Sequence, residues 1–354
     1  MLRHDMKRMA SALAAAVLLW SAAGTASAIG ADAGTTISNT ASVVYSVNAV
    51  AQPSVASLAA DFVVDRLVDF TVTEVVGTEV VVTPNSNGAF RFTVTNTSND
   101  ALGFNLSATN NATNPFAPPA DNFNPTTLTA VVDTGIIGTY EPGTDVATTV
   151  DSVLEDGTVG VWVVAAIQPG LFNNDVAAVT LTATARETGV GGAVLVEQAN
   201  PENPLAMETV FNDGAGLDDA AQDGIFSRRG AFIVASADVT ITKTETLISD
   251  PINGVAPNAR HIPGAIVQYV VTVTNSATSA LSATTLTISD VLPGDVTFAA
   301  NTYGVGFGID LDTVAQSNAA DLDQGSEAAG TVTVTVPSIA PGATAVITFR
   351  VSVN

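Results

Sequence analysis

The 354-residue sequence has no cysteine, two lysines and two histidines, and aromatic residues supply only 6% of it. Each scarcity excludes a class of chemistry. Without cysteine there is no disulfide framework, no thiolate metal site and no thiol nucleophile. With 11 Lys+Arg against 34 Asp+Glu and a formal net charge of -23, the chain lacks the cations that displace counterions from phosphates. That excludes a nucleic-acid partner. Charged residues total only 13%, against about 25% in an ordinary soluble domain, so the imbalance comes from missing cations and not from abundant acids.

What is present is mainly Ala and Val. The hydrophobic fraction is 47% and the mean hydropathy +0.36, which argues against a disordered chain. Arg3, Lys7 and Arg8 precede an apolar run from Ala10 to Ala23, and Ala26-Ser27-Ala28 offers a small-x-small cleavage site. Residues 1–28 therefore read as a secretory signal peptide. Cleavage after Ala28 removes three cations and one acid, taking the charge from -23 to -25. The remainder is expected to be secreted, extracellular or at the cell surface. It has no integral membrane span, since no later run approaches the roughly 20 apolar residues of a spanning helix.

The sequence repeats itself. Asp69-Phe70-Thr71-Val72-Thr73 parallels Asp238-Val239-Thr240-Ile241-Thr242, and Phe92-Thr93-Val94-Thr95-Asn96 with Ala101-Leu102 parallels Val271-Thr272-Val273-Thr274-Asn275 with Ala280-Leu281. Further on, Gly157-Thr158-Val159 and Pro169-Gly170 mirror Gly330-Thr331-Val332 and Pro341-Gly342. Phe349, Val351 and Val353 alternate with Thr348, Arg350 and Ser352, the period of a half-buried strand. Asn-Gly, Asp-Gly and Pro-Gly pairs supply turns. The expected fold is all-β, with two immunoglobulin-like sandwiches in tandem at residues 69–186 and 238–354. Trp162 is expected in the core of the first.

Lys243-Thr244, Pro263-Gly264, the strand Tyr269 to Asn275, Ser289-Asp290-Val291-Leu292-Pro293-Gly294 and Ile339-Ala340-Pro341-Gly342 resemble the conserved-repeat Ig-like domain of bacterial and archaeal surface proteins, catalogued as domain of unknown function eleven. The resemblance covers residues 238–354. In the first copy Glu74 replaces the lysine and the Asp-x-Leu-Pro-Gly element is absent. The family implies a structural, extracellular role with no catalytic residues to carry over. Some bacterial Ig-like domains join a first-strand Lys to a last-strand Asn by an isopeptide, for which Lys243 and Asn354 are the pair to examine.

Two regions lie outside the copies. Residues 29–68 carry two strand-like runs that either complete the first domain or are donated to an open edge of a neighbouring subunit. Residues 187–237 are expected to form an acidic linker, because Glu187 to Asp223 holds eight acids and no base. Asp213, Asp218, Asp219 and Asp223 there are candidate calcium ligands, carboxylates being the oxygen donors that ion prefers; a second candidate cluster is Asp310, Asp312, Asp321 and Asp323. Catalytic constellations are missing. His261, the one histidine left after residue 28, sits beside Arg260 with no nucleophile elbow around any serine. Asp310 and Asp312 lack the aromatic platforms of a sugar cleft.

The reading is a secreted, noncatalytic structural protein of the cell surface or extracellular matrix. It is not an enzyme, needs no cofactor, and associates with itself, in one form as a filament subunit built by strand donation, or with other surface proteins. The alternative is an adhesin or calcium-dependent carbohydrate-binding module.

Overall fold

The structure, a computed structural model, describes residues 30–75, 79–114, 119–198 and 201–354. The signal-peptide reading of residues 1–28 lies outside the described residues. No helix among them is long and apolar enough to cross a membrane.

The chain opens with six short strands, β1 (Thr36–Asn39), β2 (Ser42–Val43), β3 (Ser46–Val47), β4 (Val50–Ala51), β5 (Val55–Ala56) and β6 (Ala60–Val63). They pair only with one another, β1 with β6, β2 with β5 and β3 with β4. The result is a single antiparallel hairpin whose register slips by one residue at each of its two breaks.

The first sandwich uses β7 (Arg66–Val68), β8 (Phe70–Glu74), β9 (Glu79–Val82), β10 (Ser86–Asn96), β11 (Leu102–Asn110), β12 (Thr127–Val132), β13 (Thr149–Val153), β14 (Thr158–Ile167), β15 (Val176–Arg186), β16 (Thr209–Phe211) and β17 (Ile225–Val234). One sheet runs β12-β14-β10-β8 and the other β13-β11-β15-β17-β9, with β16 paired to β7 at the margin. Alternation decides the faces. Phe90, Phe92 and Val94 of β10 and Val161, Val163 and Ala165 of β14 point into a core shared with Leu181, Phe232 and Val234. Trp162 has the other parity, so it lies half-buried on the outer face beside Tyr140 (ring centroids 6.0 Å apart) and not in the core.

Residues 187–237 are therefore not a linker. β17 pairs with β15 over nine residues and runs parallel to β9, and Leu195 and Phe211 join the first core. Only 235–238 connect the two sandwiches. What hid this from the sequence is the length of the excursion, since β17 completes a sheet begun well over a hundred residues earlier. β10 and β17 interlock through glycine. Phe90 sits over Gly230, where a Cβ would overlap its ring, while Phe232 sits over Gly88, whose Cβ would lie 2.7 Å from that ring. The two phenyl rings meet edge to face at 4.9 Å.

The second sandwich contains β18 (Val239–Asp250), β19 (Gly254–Val255), β20 (Ile266–Asn275), β21 (Ala283–Val291), β22 (Val296–Phe298), β23 (Ile309–Leu311), β24 (Val314–Gln316), β25 (Gly325–Ala328), β26 (Thr331–Ile339) and β27 (Thr344–Val353). Its large sheet runs β19-β18-β20-β27-β23-β24, with β22 also on β27, and its small sheet runs β21-β26-β25. A separate core forms from Val271, Val273, Ile309, Val334, Ile347 and Phe349.

The internal repeat is structural in its first half. Asn96 and Asn275, each fully buried, end β10 and β20 and donate to backbone carbonyls of their own sandwich: Asp100 and Val153 in one case (2.8 and 3.0 Å), Leu281 and Ile339 in the other (3.0 Å each). Asp69 and Asp238 are tied to those corners alike, through Ser98 and Ser279. The second halves diverge. β14 pairs with β10, whereas β26, which mirrors it in sequence, pairs with β21; the strand added to β20 is β27. Gly-Thr-Val and Pro-Gly mark a strand and a turn in both copies but not the same place in the fold.

Replacing Gly230 by Ala should overpack the β10–β17 interlock and destabilise the first sandwich by about 1–3 kcal/mol, read as a lower urea midpoint. Gly214→Ala, at a glycine whose Cβ would meet nothing within 4 Å, should leave the midpoint close to that of the parent.

Candidate assembly surface and acidic loops

The hairpin has a face with nothing on it. Its cross-strand pairs Ile37–Phe62, Val43–Val55 and Val47–Val50 are apolar, and all six residues are exposed. In the first arm Ile37, Ala41, Val43, Tyr45 and Val47 alternate with Thr, Ser and Asn apart from Val44, the pattern of a strand made to bury one side. From Ala33 to Ala60 there is no charged residue, in a chain of net charge -23. The tip turns at Asn48 and Ala49, both with positive φ (49° and 65°), the geometry of a tight two-residue hairpin turn.

The root of the hairpin is held by Asn99. Its Nδ2 donates to the carbonyls of Ala31 (3.2 Å) and Asp65 (2.9 Å), its Oδ1 accepts from the Leu67 amide (2.8 Å), and its own carbonyl accepts from Ala33. Beside this root Asp65, Glu202 and Glu208 bring one carboxylate oxygen each within 4.8 Å of one another. Burial, followed by the neighbouring charges of Asp65 and Glu208, pushes the Glu202 carboxyl up. Among the described residues this is the one group of three whose carboxylates converge closely enough to share a cation, and no spacing along the sequence announces it, because Asp65, between β6 and β7, is at least 137 residues from Glu202 and Glu208 in the loop before β16.

The four aspartates chosen from sequence are close in the chain but do not form one ligand set. Asp218 is bound to Arg229 in two places and accepts from Thr180 Oγ1 (2.7 Å) and Asn111 Nδ2 (2.9 Å). The Arg229 hydrogen bonds hold its carboxyl at about 2. Asp213 is buried and accepts from the Gly224 amide (3.0 Å), burial pushing its carboxyl up against that bond. Asp219 accepts from Gly216, and Asp223 from Ala220 and Ile225. These carboxylates brace turns that cover the outer face of β15.

The second acidic cluster behaves alike. Asp310 accepts from the Thr313 amide, Asp312 from Val346, Asp321 from Ser317 and Asp323 from Ser317 and Gly325. Lys243 forms its ion pair with Asp290 (2.6 Å) across the two sheets, over the ring of Tyr269, while the Asn354 side chain binds Thr297 and the Gly294 carbonyl. The two are not partners, so the Lys243–Asn354 isopeptide has no geometry to support it. His261 is exposed, 3.4 Å from Glu245.

No family model matches the chain, and no curated protein matches it in sequence. Solved structures to which the chain is similar include the secreted serine protease VesC of Vibrio cholerae (7% identity, TM-score 0.24, 80% of this chain and 46% of the other). Others are the T6 backbone pilin of serotype M6 Streptococcus pyogenes (14%, 0.24, 82% and 54%) and a putative membrane anchored protein of Corynebacterium diphtheriae (9%, 0.20, 90% and 89%). The chain spans about half the length of the protease and of the pilin. At these scores the likenesses carry no functional argument.

Asp218 titrates well below its ordinary range when folded, so its contribution is complete above about pH 4 and lost as pH falls toward 2. Asp218→Asn should cost on the order of 1 kcal/mol at pH 7 and remove part of the acid loss between pH 4 and 2, checked by urea titrations across that window.

Proposed function

We propose that this chain is a noncatalytic structural protein of the cell surface or extracellular matrix, and that it associates with copies of itself through the hairpin β1–β6. The resemblance of residues 238–354 to the conserved-repeat Ig-like domains belongs to the same reading. One observation carries it: a two-stranded arm projects from the first sandwich, and its apolar residues Ile37, Val43, Val47, Val50, Val55 and Phe62 are exposed among the described residues. An isolated hairpin is marginal in water. Exposed apolar patches of this kind mark interaction sites, and unpaired strand edges are templates for another chain. Covering six half-exposed Ile, Val and Phe side chains would contribute on the order of 5 kcal/mol.

Charge selects what can cover it. Two copies of a chain at -23 repel wherever their acidic surfaces approach, and that repulsion is screened beyond about 10 Å only at 0.1 M salt and above. An uncharged arm is the part of the molecule that meets another copy without this cost.

The test is sedimentation and negative-stain microscopy of the secreted chain over a range of concentration and salt. We expect ordered oligomers that grow with ionic strength. Val43→Asp with Val47→Asp should abolish them while leaving the urea midpoint unchanged, because neither residue touches a core. A strictly monomeric parent, or assembly indifferent to both substitutions, would overturn the reading.

A further inference from the structure

The second sandwich is short of strands on one side. In the first, the sheet opposite β8 and β10 continues past β11 with β15, β17 and β9, and β17 and β9 pack over β8 and β10. In the second, β21 holds the place of β11 but is an edge strand, with β26 on one side and, among the described residues, no strand on the other. β18, the counterpart of β8, consequently has no strand over its inner face. Val239 and Ile241 share the face on which Val271 and Val273 of β20 are buried, yet they are exposed, Ile241 by 61%.

Between β18 and β21 this leaves an open cleft of about 840 Å³, lined by Val239, Ile241, Leu281, Ala283, Leu286 and Ile288 among others. Not one of its lining residues is charged. Lys243 and Asp290 close its far end with the ion pair that bridges the sheets, and Pro84, Ser236 and Ala237 bound it at the junction with the first sandwich.

We infer that this cleft receives the hairpin of a second copy of the chain, the hairpin adding to the free edge of β21 and laying its apolar face on Val239 and Ile241. The inference rests on the reading of the hairpin as an assembly arm and names its acceptor. Four observations point to that occupant. The cleft and the arm are both uncharged in a chain of net charge -23. The arm from Thr36 to Val47 spans about 40 Å at roughly 3.3 Å per residue, enough to run the length of β21. Two added strands would bring the three-stranded sheet to the five of its counterpart in the first sandwich.

The fourth observation is position. β10 starts at Ser86, next to Pro84 in the cleft wall, and ends at Asn96, next to the Asn99 that holds the hairpin root. Arm and cleft therefore lie at opposite poles of the first sandwich, about 35 Å apart along an 11-residue strand. Because the apolar face of the arm is exposed among the described residues and its own cleft is at the far pole, the arm reaches a cleft on a neighbour, head to tail.

The experiment replaces Tyr45, near the tip of the arm, with a photo-crosslinking phenylalanine in the full chain, and maps cross-linked peptides by mass spectrometry after assembly. Cross-links to residues 236–241 and 281–289 of another copy are expected. Independently, Ile241→Asp, at an exposed position that folding tolerates, should lower oligomer yield about tenfold or more, whereas Thr242→Asp, on the other face of β18, should not. Oligomers that lose assembly with Val43→Asp and Val47→Asp but cross-link elsewhere, and ignore Ile241→Asp, would overturn the cleft and leave the assembly arm standing. Absence of any oligomer would overturn both.

Discussion

A β-sheet with one apolar face must have that face covered, and the way each region of this chain meets or fails to meet that constraint governs the rest of the structure. β8 and β10 are covered because residues 187–234 loop round and deliver β17, whose Gly230 and Phe232 fit against Phe90 and Gly88 of β10. Within residues 239–353 no strand does the same for β18, so Ile241 stays in solvent. The hairpin poses the same problem without a second sheet at all. Two unmet apolar faces, one flat and projecting and one recessed, are what distinguish this molecule from a pair of closed sandwiches.

Scarce cations shape everything else. Beyond residue 28 there are eight Lys+Arg for 33 acids, so most carboxylates cannot be neutralised by an ion pair. Two of the arginines are buried. Arg66, buried, holds Asp100 and Glu187, and Arg186, also buried, holds Asp151 and the carbonyls of Val150 and Gly189. Other aspartates use backbone amides instead, as Asp145, Asp213, Asp223 and Asp323 do in their turns. Loops built this way need no cation, and they leave a surface that repels its own kind except across the uncharged arm and cleft.

Much of this was legible in the sequence, and what was missed has identifiable causes. Period-two alternation identified β27, and the internal repeat matched the ends of β10 and β20 without revealing that their shared Asn96 and Asn275 are buried corner residues. The repeat then misled. Gly-Thr-Val and Pro-Gly are generic signals for a strand and a turn, and they carry no information about which sheet the strand enters, so the swapped partners of β14 and β26 were invisible. Acidic composition made Glu187 to Asp223 look like a linker, although Leu195 and Phe211 are core residues; a solvated face and a solvated tether have the same composition. Asp65, Glu202 and Glu208 converge only through folding, and no local spacing records that.

The placement of the two unmet faces fixes what kind of contact they can make. A twofold pair would join the same patch on both subunits. Here the projecting face is rooted at Asn99 and the recessed one begins beside Pro84, at opposite ends of β10. A contact between them is heterologous, leaves an arm free at one end and a cleft free at the other, and so repeats without closing unless the rotation per subunit happens to complete a ring. The first sandwich finishes its five-stranded sheet with its own chain. The second leaves β21 as an edge among the described residues, and in the proposed contact the missing strands come from the next molecule.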